Sequence, residues 1–347
     1  MVVSIEDLVR GGKYVNTVAG IFFWLFGVTG SLAILIIFSS KRQLRRTASS
    51  QYILVAAIFD LVFLGIALGY RIMTDGLSVQ GDFALFFYNT AICRIRNYIT
   101  GVANFGTLYT KCLCTFDQWA ATGRSANIRQ FSSIKWARIF LTVNTLVWVF
   151  MNIPQLIYND IIKSSSGALS CVNTSKGYIY AYSYFLLPVI YFFVPFIFLI
   201  VFGYLTCTHV QQLNQGSSNQ GRFRRIERQL TSLIIAQTLV CIVTSVPYGA
   251  QYLYTGITLT QSKDSYRLAI EALIQHVVRL NLYASSAAPF YVYICLSSEI
   301  RRMAIHLVLC RLHKMNEVVP SQTFDKSVNR VMTEHHTTRT IHQIKNN

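Results

Sequence analysis

The sequence predicts an all-α membrane protein, built as a bundle of seven transmembrane helices followed by a short amphipathic eighth helix. Of its 347 residues, 53% belong to the apolar class and only 13% are charged, whereas charged residues make up about 25% of a soluble domain. The mean hydropathy is +0.41, and such a chain has too little polar surface to stay dissolved in water. Seven apolar segments, separated by polar or basic stretches, supply the helices.

Each segment has the length that a helix needs, since about 20 predominantly apolar residues cross about 30 Å of hydrocarbon. The seven segments are Val15 to Phe38, Tyr52 to Tyr70, Asn89 to Trp119, Ile139 to Tyr158, Tyr178 to Cys207, Leu230 to Tyr254 and Ala269 to Leu296. The third is the least apolar because it carries Arg94, Arg96 and Lys111. Strands of a membrane barrel would alternate apolar and polar residues over about 10 positions. Runs such as FFWLFGV do not alternate, so helices are predicted.

Lysine and arginine in the short loops predict the orientation of the bundle, because cytoplasmic loops are enriched in them. The loops after the first, third and fifth spans carry Lys41, Arg42, Arg45, Arg46, Arg124, Arg129, Lys135, Arg138, Arg222, Arg224, Arg225 and Arg228. The opposite loops have fewer basic residues, offset by Asp75, Asp82, Asp160 and Asp264. The first 14 residues contain Glu6 and Asp7 without an apolar core, so no signal peptide is predicted.

These observations predict a multi-pass plasma-membrane protein with an extracellular N-terminus and a cytoplasmic C-terminus. Its predicted regions are an extracellular segment (1–14), the bundle (15–296), an amphipathic juxtamembrane helix (297–312) and a polar, disordered cytoplasmic tail (313–347). The net charge of +17 is therefore assigned to topology and not to nucleic-acid binding.

Five of the six prolines lie inside the apolar segments: Pro154, Pro188, Pro195, Pro247 and Pro289. Each removes a backbone hydrogen bond and kinks its helix. Membrane helices tolerate proline generally, but Pro247 and Pro289 lie deep in the last two spans. We expect these two to act as hinges.

Two of the eight cysteines, Cys93 and Cys171, are predicted to lie on the oxidising outer side. Cys310 ends an amphipathic stretch that begins at Ser298, which predicts an interfacial helix ending in either a palmitoylated cysteine or a plain thiol. Asn173 begins the sequon Asn-Thr-Ser on the outer side and is a candidate N-glycosylation site.

Together these features resemble the rhodopsin-like (class A) G-protein-coupled receptors, over residues 15–312. The similar positions are Gly27-Val28-Thr29-Gly30-Ser31 in the first helix, Asp60 in the second, Trp148 in the fourth, and Pro195, Pro247 and Pro289 in the last three. Counting from Cys93 along the third span brings the family's Asp-Arg-Tyr motif onto Asp117-Gln118-Trp119. The resemblance implies a disulfide between Cys93 and Cys171. A finer similarity, to invertebrate neuropeptide receptors of the FMRFamide-receptor-like group, rests on tyrosine-rich outer helices and a short tail.

The sequence departs from the family's pattern at three switch positions. Gln118 stands where the motif has arginine, Ser245 where the sixth helix has tryptophan, and Val292 where the seventh-helix motif has tyrosine. In the family, that arginine holds the resting state and then faces the G protein, so Gln118 bears on the efficiency of coupling. The predicted G-protein coupling residues are Asp117, Gln118, Trp119, Arg225 and Arg228.

Asp60 and Lys111 are ionisable residues predicted to lie deep in the bilayer, where such groups are expensive and usually functional. In the family, the aspartate binds a sodium ion with partners on helices three and seven, positions that Thr107 and Ser285 fit here. Either Lys111 pairs with Asp60 and replaces the sodium ion, or it extends toward the cytoplasm. The predicted switch residues are Asp60, Thr107, Lys111, Ser245, Pro247, Ser285 and Pro289.

Cationic and aromatic residues are concentrated at the outer ends of the helices. The predicted ligand-binding residues are Arg71, Arg94, Asn97, Tyr98, Tyr248, Gln251, Tyr252, His276 and Arg279. This set suits a ligand with a carboxylate or other anionic group and apolar side chains. Alternatively, Asp75, Asp82 and Glu271 neutralise the arginines as loop salt bridges. The outer half of the third span has no aspartate, so a biogenic amine is not expected.

The sequence thus predicts a receptor that binds an extracellular ligand, expected to be a neuropeptide, and activates a cytoplasmic G protein by movement of helices five to seven. Alternatives are a receptor-fold protein without efficient G-protein coupling, and a seven-helix transporter or channel, which would show matching interruptions in two halves. An enzyme is not predicted, because the chain has neither a His-Glu-x-x-His spacing nor a glycine-rich phosphate loop. The expected partners are the ligand, a heterotrimeric G protein and membrane lipid, with no metal, cofactor or nucleic acid.

Overall fold

A computed structural model describes residues 4–40, 45–77, 89–123, 125–163, 169–215, 222–258, 261–298 and 300–305, with the side chains of 212–215 and 222–230 excepted. The chain divides into two units, Met1–Ser297 and Ser298–Asn347. In the second unit, residues 300–305 are helical, while Cys310 and the predicted tail lie outside the described residues.

The described part of the first unit contains seven long helices, which confirms the predicted bundle. They are α1 (Ile5–Ser40), α2 (Ala48–Gly76), α3 (Thr90–Thr122), α4 (Ile134–Met151 and Ile153–Tyr158), α5 (Lys176–Ala181, Tyr182–Phe193 and Val194–Gln215), α6 (Arg222–Ile257) and α7 (Ser265–Ala287 and Pro289–Leu296). A single helical turn, Ala126–Arg129, lies between α3 and α4.

Side chains at the helix starts explain where three of the helices begin. The Asn89 side chain accepts a hydrogen bond from the Ala91 backbone N–H at 2.8 Å and caps α3. Ser175 caps α5, and Asp264 caps α7. Such caps satisfy backbone donors that have no partner inside the helix.

Among the described helices, five are long and apolar enough to cross a membrane by composition, namely α1, α2, α4, α5 and α6. The third and seventh are more polar because they turn polar side chains into the bundle. In α3, Thr107, Lys111 and Asp117 are all buried. The polar character of α3 therefore reflects its position at the centre of the bundle, where other helices shield it from lipid.

The prolines coincide with several of the helix irregularities. Pro188 lies in the π-helical stretch of α5, and α4 is interrupted at Asn152, just before Pro154. The break in α7 at Ala288 precedes Pro289, whereas α6 continues through Pro247. Two further π-helical stretches, Phe63–Leu68 and Ile72–Gly76, lie in α2.

A β-hairpin covers the outer end of α3. Its strands, β1 (Asn159–Lys163) and β2 (Leu169–Asn173), pair antiparallel with Ile161 opposite Cys171. A disulfide joins Cys171 to Cys93 at the start of α3, as the resemblance implied. This bond attaches β2 to α3, and the pairing of β1 with β2 keeps the two strands together.

Candidate functional site

The half of the bundle that the hairpin covers, which the sequence predicts to be the outer half, contains a cavity of about 390 Å³. Helices α2 to α7 and the hairpin contribute to its walls. Its aromatic lining consists of Phe63, Phe105, Tyr178, Tyr182, Tyr248, Tyr252 and Tyr283. Its volume lies within the range of about 300–1,000 Å³ that is typical of small-molecule sites.

Five of the nine sequence-predicted ligand residues line this cavity: Arg71, Asn97, Tyr248, Tyr252 and Arg279. The Asn97 amide also donates to the Cys171 sulfur at 3.1 Å, which ties the lining of α3 to the hairpin. The predicted glycosylation site, Asn173, lines the cavity as well.

The other four predicted ligand residues are not in the cavity lining. Arg94 turns to the hairpin, where its Nε donates to the Asn159 carbonyl at 2.9 Å. Tyr98 donates its hydroxyl to the Val149 carbonyl of α4 at 3.3 Å. Gln251 and His276 also lie outside the lining, and the His276 ring packs beside Gly12 of α1.

A second arginine of α3, Arg96, lines the cavity although it was not among the predicted ligand residues. Arg94 and Arg96 are two positions apart, which is about 200° around a helix, so they point to opposite sides. The sequence does not reveal which side faces inward, because that depends on where the hairpin docks. The guanidinium of Arg96 lies 4.1 Å from the centre of the Tyr70 ring, in a cation–π contact.

Asp160 explains why the Arg94 side chain points away from the cavity. Its carboxylate accepts from the Thr90 hydroxyl at 2.8 Å and lies 3.5 Å from an Arg94 terminal nitrogen. The Thr90 hydroxyl, the Ile161 backbone N–H and the charge of Arg94 together lower the pKa of the Asp160 carboxyl below its ordinary value. Asp160 therefore stays charged and fastens β1 to the start of α3.

A buried ion pair lies at the centre of the bundle. The Lys111 ammonium is 3.5 Å from an Asp60 carboxylate oxygen, and the two side chains are only 6% and 3% exposed. Thr107 donates to the same oxygen at 2.8 Å, while Lys111 donates to the Ser285 backbone carbonyl at 3.3 Å. Lys111 is thus directed at Asp60, and the cluster connects α2, α3 and α7.

A second polar cluster joins three helices nearer the cytoplasmic end expected from the sequence. The Gln118 amide donates to the Ser49 hydroxyl at 2.5 Å and accepts from the Thr231 hydroxyl at 2.5 Å. Ser49 donates in turn to Asp117 at 2.7 Å. We call Ser49, Asp117, Gln118 and Thr231 the inner latch. It connects α2, α3 and α6 through side-chain hydrogen bonds at the position of the family's arginine.

The remaining predicted switch and coupling residues lie close to these clusters or outside the described side chains. Ser245 is buried in α6, two residues before Pro247. Pro289 borders a cavity of about 30 Å³ beside Asp60 and Lys111. Trp119 packs on Phe202 of α5, with the ring centres 5.1 Å apart. Arg225 and Arg228 belong to α6, but their side chains are outside the described part.

Comparison with known proteins identifies one family. A family model described as the seven-transmembrane receptor, rhodopsin family, matches residues 30–293, which is more than half of the chain. No curated protein matches the sequence.

Proposed function

We propose that this chain, which belongs to the rhodopsin family of seven-transmembrane receptors, binds an anionic neuropeptide outside the cell and activates a heterotrimeric G protein inside it. The family is one of receptors and not of enzymes, and its members cross the membrane several times. The observation that carries the proposal is the outer cavity of about 390 Å³, lined by arginine and tyrosine.

The position of the disulfide supports an extracellular location for this cavity. Disulfides form and persist on the oxidising side of the membrane, and Cys171 of the disulfide lines the cavity. The chain crosses the bundle twice, through α1 and α2, before it reaches the end of α2 that borders the cavity. We therefore expect the N-terminus to lie on the same side of the membrane as the cavity.

Activation requires that the ligand bind an open state of the bundle better than the closed one. We propose that the ligand draws the outer ends of α6 and α7 together and that Pro247 and Pro289 absorb the bend. The inner end of α6 then leaves α3, which breaks the Thr231–Gln118 hydrogen bond of the inner latch. The opened inner face is where the G protein binds.

A G-protein dissociation assay in cells tests this function. The unmutated chain and Gln118→Arg, both checked for surface display, are exposed to a pool of neuropeptides. We expect a ligand-dependent signal from the unmutated chain, and fractionation of the pool then identifies the ligand. Silence of both displayed proteins contradicts the proposal.

The second candidate function is a receptor-fold protein that binds its ligand without efficient G-protein coupling. It is favoured by Gln118 of the inner latch, because a glutamine presents no positive charge to a G protein. The same assay separates the two functions. A signal that appears only in Gln118→Arg supports ligand binding with lost coupling.

A further inference from the structure

The outer cavity carries an excess of positive charge. Three arginines, Arg71, Arg96 and Arg279, line it, and no aspartate or glutamate is among the described lining residues. The neighbouring carboxylate is Asp75, which forms an ion pair with Arg71 at 2.8 Å and lies within electrostatic reach of the other two. Among the described residues, three positive charges face one negative charge, which leaves two guanidinium groups without a carboxylate partner.

Two other described carboxylates at this end of the bundle, Asp160 and Glu271, already have partners. Asp160 is held by Thr90 and Arg94. Glu271 accepts from Lys263 at 2.6 Å and from Arg267 at 3.0 Å. Neither is therefore available to neutralise the cavity, and among the described residues a salt bridge is formed by Arg71 but by neither Arg96 nor Arg279.

The two uncompensated guanidinium groups lie on different walls and are held ready for a ligand. Arg96 extends from α3 and is braced by the Tyr70 ring, and its Nε is buried without a hydrogen-bond partner among the described residues. Arg279 extends from α7 beside the phenols of Tyr248 and Tyr252. A guanidinium has a planar set of donors that matches a carboxylate, and an unpaired buried charge costs free energy that such a ligand group offsets.

We infer that the ligand carries two negatively charged groups, one bound by Arg96 and the other by Arg279, with an aromatic or aliphatic part between them. This inference rests on the proposed function and specifies its ligand class. The inference excludes peptides that would insert a cationic, amidated end into the cavity, such as Phe-Met-Arg-Phe-amide. Their arginine would bring another positive charge to a cavity that is already positive. A peptide with an acidic residue and a free carboxyl terminus has the required chemistry, and so does a small dicarboxylate.

Binding of matched probes to the purified full-length protein in lipid nanodiscs tests the inference. The probes are acetyl-Asp-Phe with a free carboxylate, its amide, acetyl-Asn-Phe-amide, glutarate and Phe-Met-Arg-Phe-amide. We expect the apparent Kd to rise about tenfold for each negative charge removed from the dipeptide, the amount expected for one charge-assisted contact. Binding of glutarate as well as the dipeptide indicates a small dicarboxylate, and binding of the dipeptide alone indicates an acidic peptide.

Single substitutions test which arginine binds each negatively charged group of the ligand. Arg96→Gln and Arg279→Gln are each expected to abolish the preference for two charges over one. Arg94→Gln is the matched control, because Arg94 lies outside the cavity, and it should keep the preference. Equal or tighter binding of the neutral or cationic probe, an equal effect of Arg94→Gln, or no binding of any acidic probe at millimolar concentration overturns the inference.

The G-protein assay keeps the two proposals distinct. A signal evoked by a neutral or cationic ligand leaves the proposed function standing and overturns the inference. Binding of the dianionic probe through Arg96 and Arg279 without any G-protein response, even to the peptide pool, supports the inference and contradicts the coupled receptor.

Discussion

The Lys111 side chain forms its ion pair where neither charge can reach water. The exposed fractions of Lys111 and Asp60 are 6% and 3%, and removing one partner of such a pair leaves the other charge uncompensated. We expect Lys111→Met to destabilise the protein by about 3–5 kcal/mol, and Asp60→Asn combined with Lys111→Met to recover most of that loss. Thermal unfolding of the purified proteins in nanodiscs measures this, with exposed Lys13→Met as the control. Equal losses in the single and double variants would contradict the pairing.

The same ion pair predicts how the receptor responds to sodium. The ammonium of Lys111 lies against the carboxylate that binds sodium in the family, so a second cation there would meet repulsion. We expect replacement of sodium chloride by choline chloride to leave ligand affinity unchanged in the unmutated protein. Sodium dependence that appears only in Lys111→Met would support this assignment, whereas strong dependence in the unmutated protein would count against it.

At the residue scale, helical spacing indicated a pair between Lys111 and Asp60 but left open that Lys111 extends toward the cytoplasm. It could not predict which arginine of α3 faces the cavity. Thr107 and Lys111 are four positions apart and so share a helix face, which placed both near Asp60. Arg94 is diverted by the carbonyl of Asn159 and by Asp160, two groups of a hairpin whose docking depends on tertiary contacts.

At the scale of the helices, Gly27 of α1 allows a close approach to α7. A Cβ on Gly27 would lie 2.5 Å from a methyl carbon of Leu64, 3.0 Å from Cβ of Ala287 and 3.3 Å from its Cα. Because backbone cannot move aside as a side chain does, we expect Gly27→Val to lower both surface display and thermal stability. Gly203→Val in α5 is the matched control, since a Cβ there would meet no described atom within 4 Å. Equal effects of the two substitutions would show that the close approach is unimportant.

The inner latch holds α6 against α3 through the Thr231 hydroxyl. Thr231→Val keeps the shape of the side chain but removes the donor to Gln118, a loss of about 1 kcal/mol for one net hydrogen bond. We expect the ratio of open to closed states, and with it ligand-independent G-protein signalling, to rise about fivefold. Thr231→Ser retains the hydroxyl and should signal as the unmutated chain does. A basal signal unchanged by Thr231→Val at equal surface display would contradict the latch.

Composition and periodicity predicted the helices more fully than the contacts between them. A span must cross the hydrocarbon, so its length and apolar content are visible in the sequence. The latch is different, because Ser49 and Thr231 are neutral residues far apart in the chain that only the packed bundle brings to Gln118. Their individual sequence context carries no signal of that contact.

Across the whole molecule, the outer cavity and the inner latch must be coupled if both report on one closed-to-open transition. Coupling between two sites is reciprocal, so whatever favours the open state at the inner end must also raise ligand affinity at the outer end. We therefore expect Thr231→Val to bind the ligand about fivefold more tightly than the unmutated chain, up to the limit set by the ligand's preference for the open state. Ligand titration of both purified proteins without G protein measures this.

Thr231→Ser is the control, since it should leave ligand affinity where it is in the unmutated protein. Arg279→Gln separates local from transmitted effects, because it removes a direct contact with the ligand and should weaken binding, whereas Thr231→Val acts from the inner end and should strengthen it. If Thr231→Val raised basal signalling without any gain in ligand affinity, the latch would open independently of the cavity. In that case the bundle would contain two separate equilibria, and the movement of α6 could not be the step through which the ligand signals.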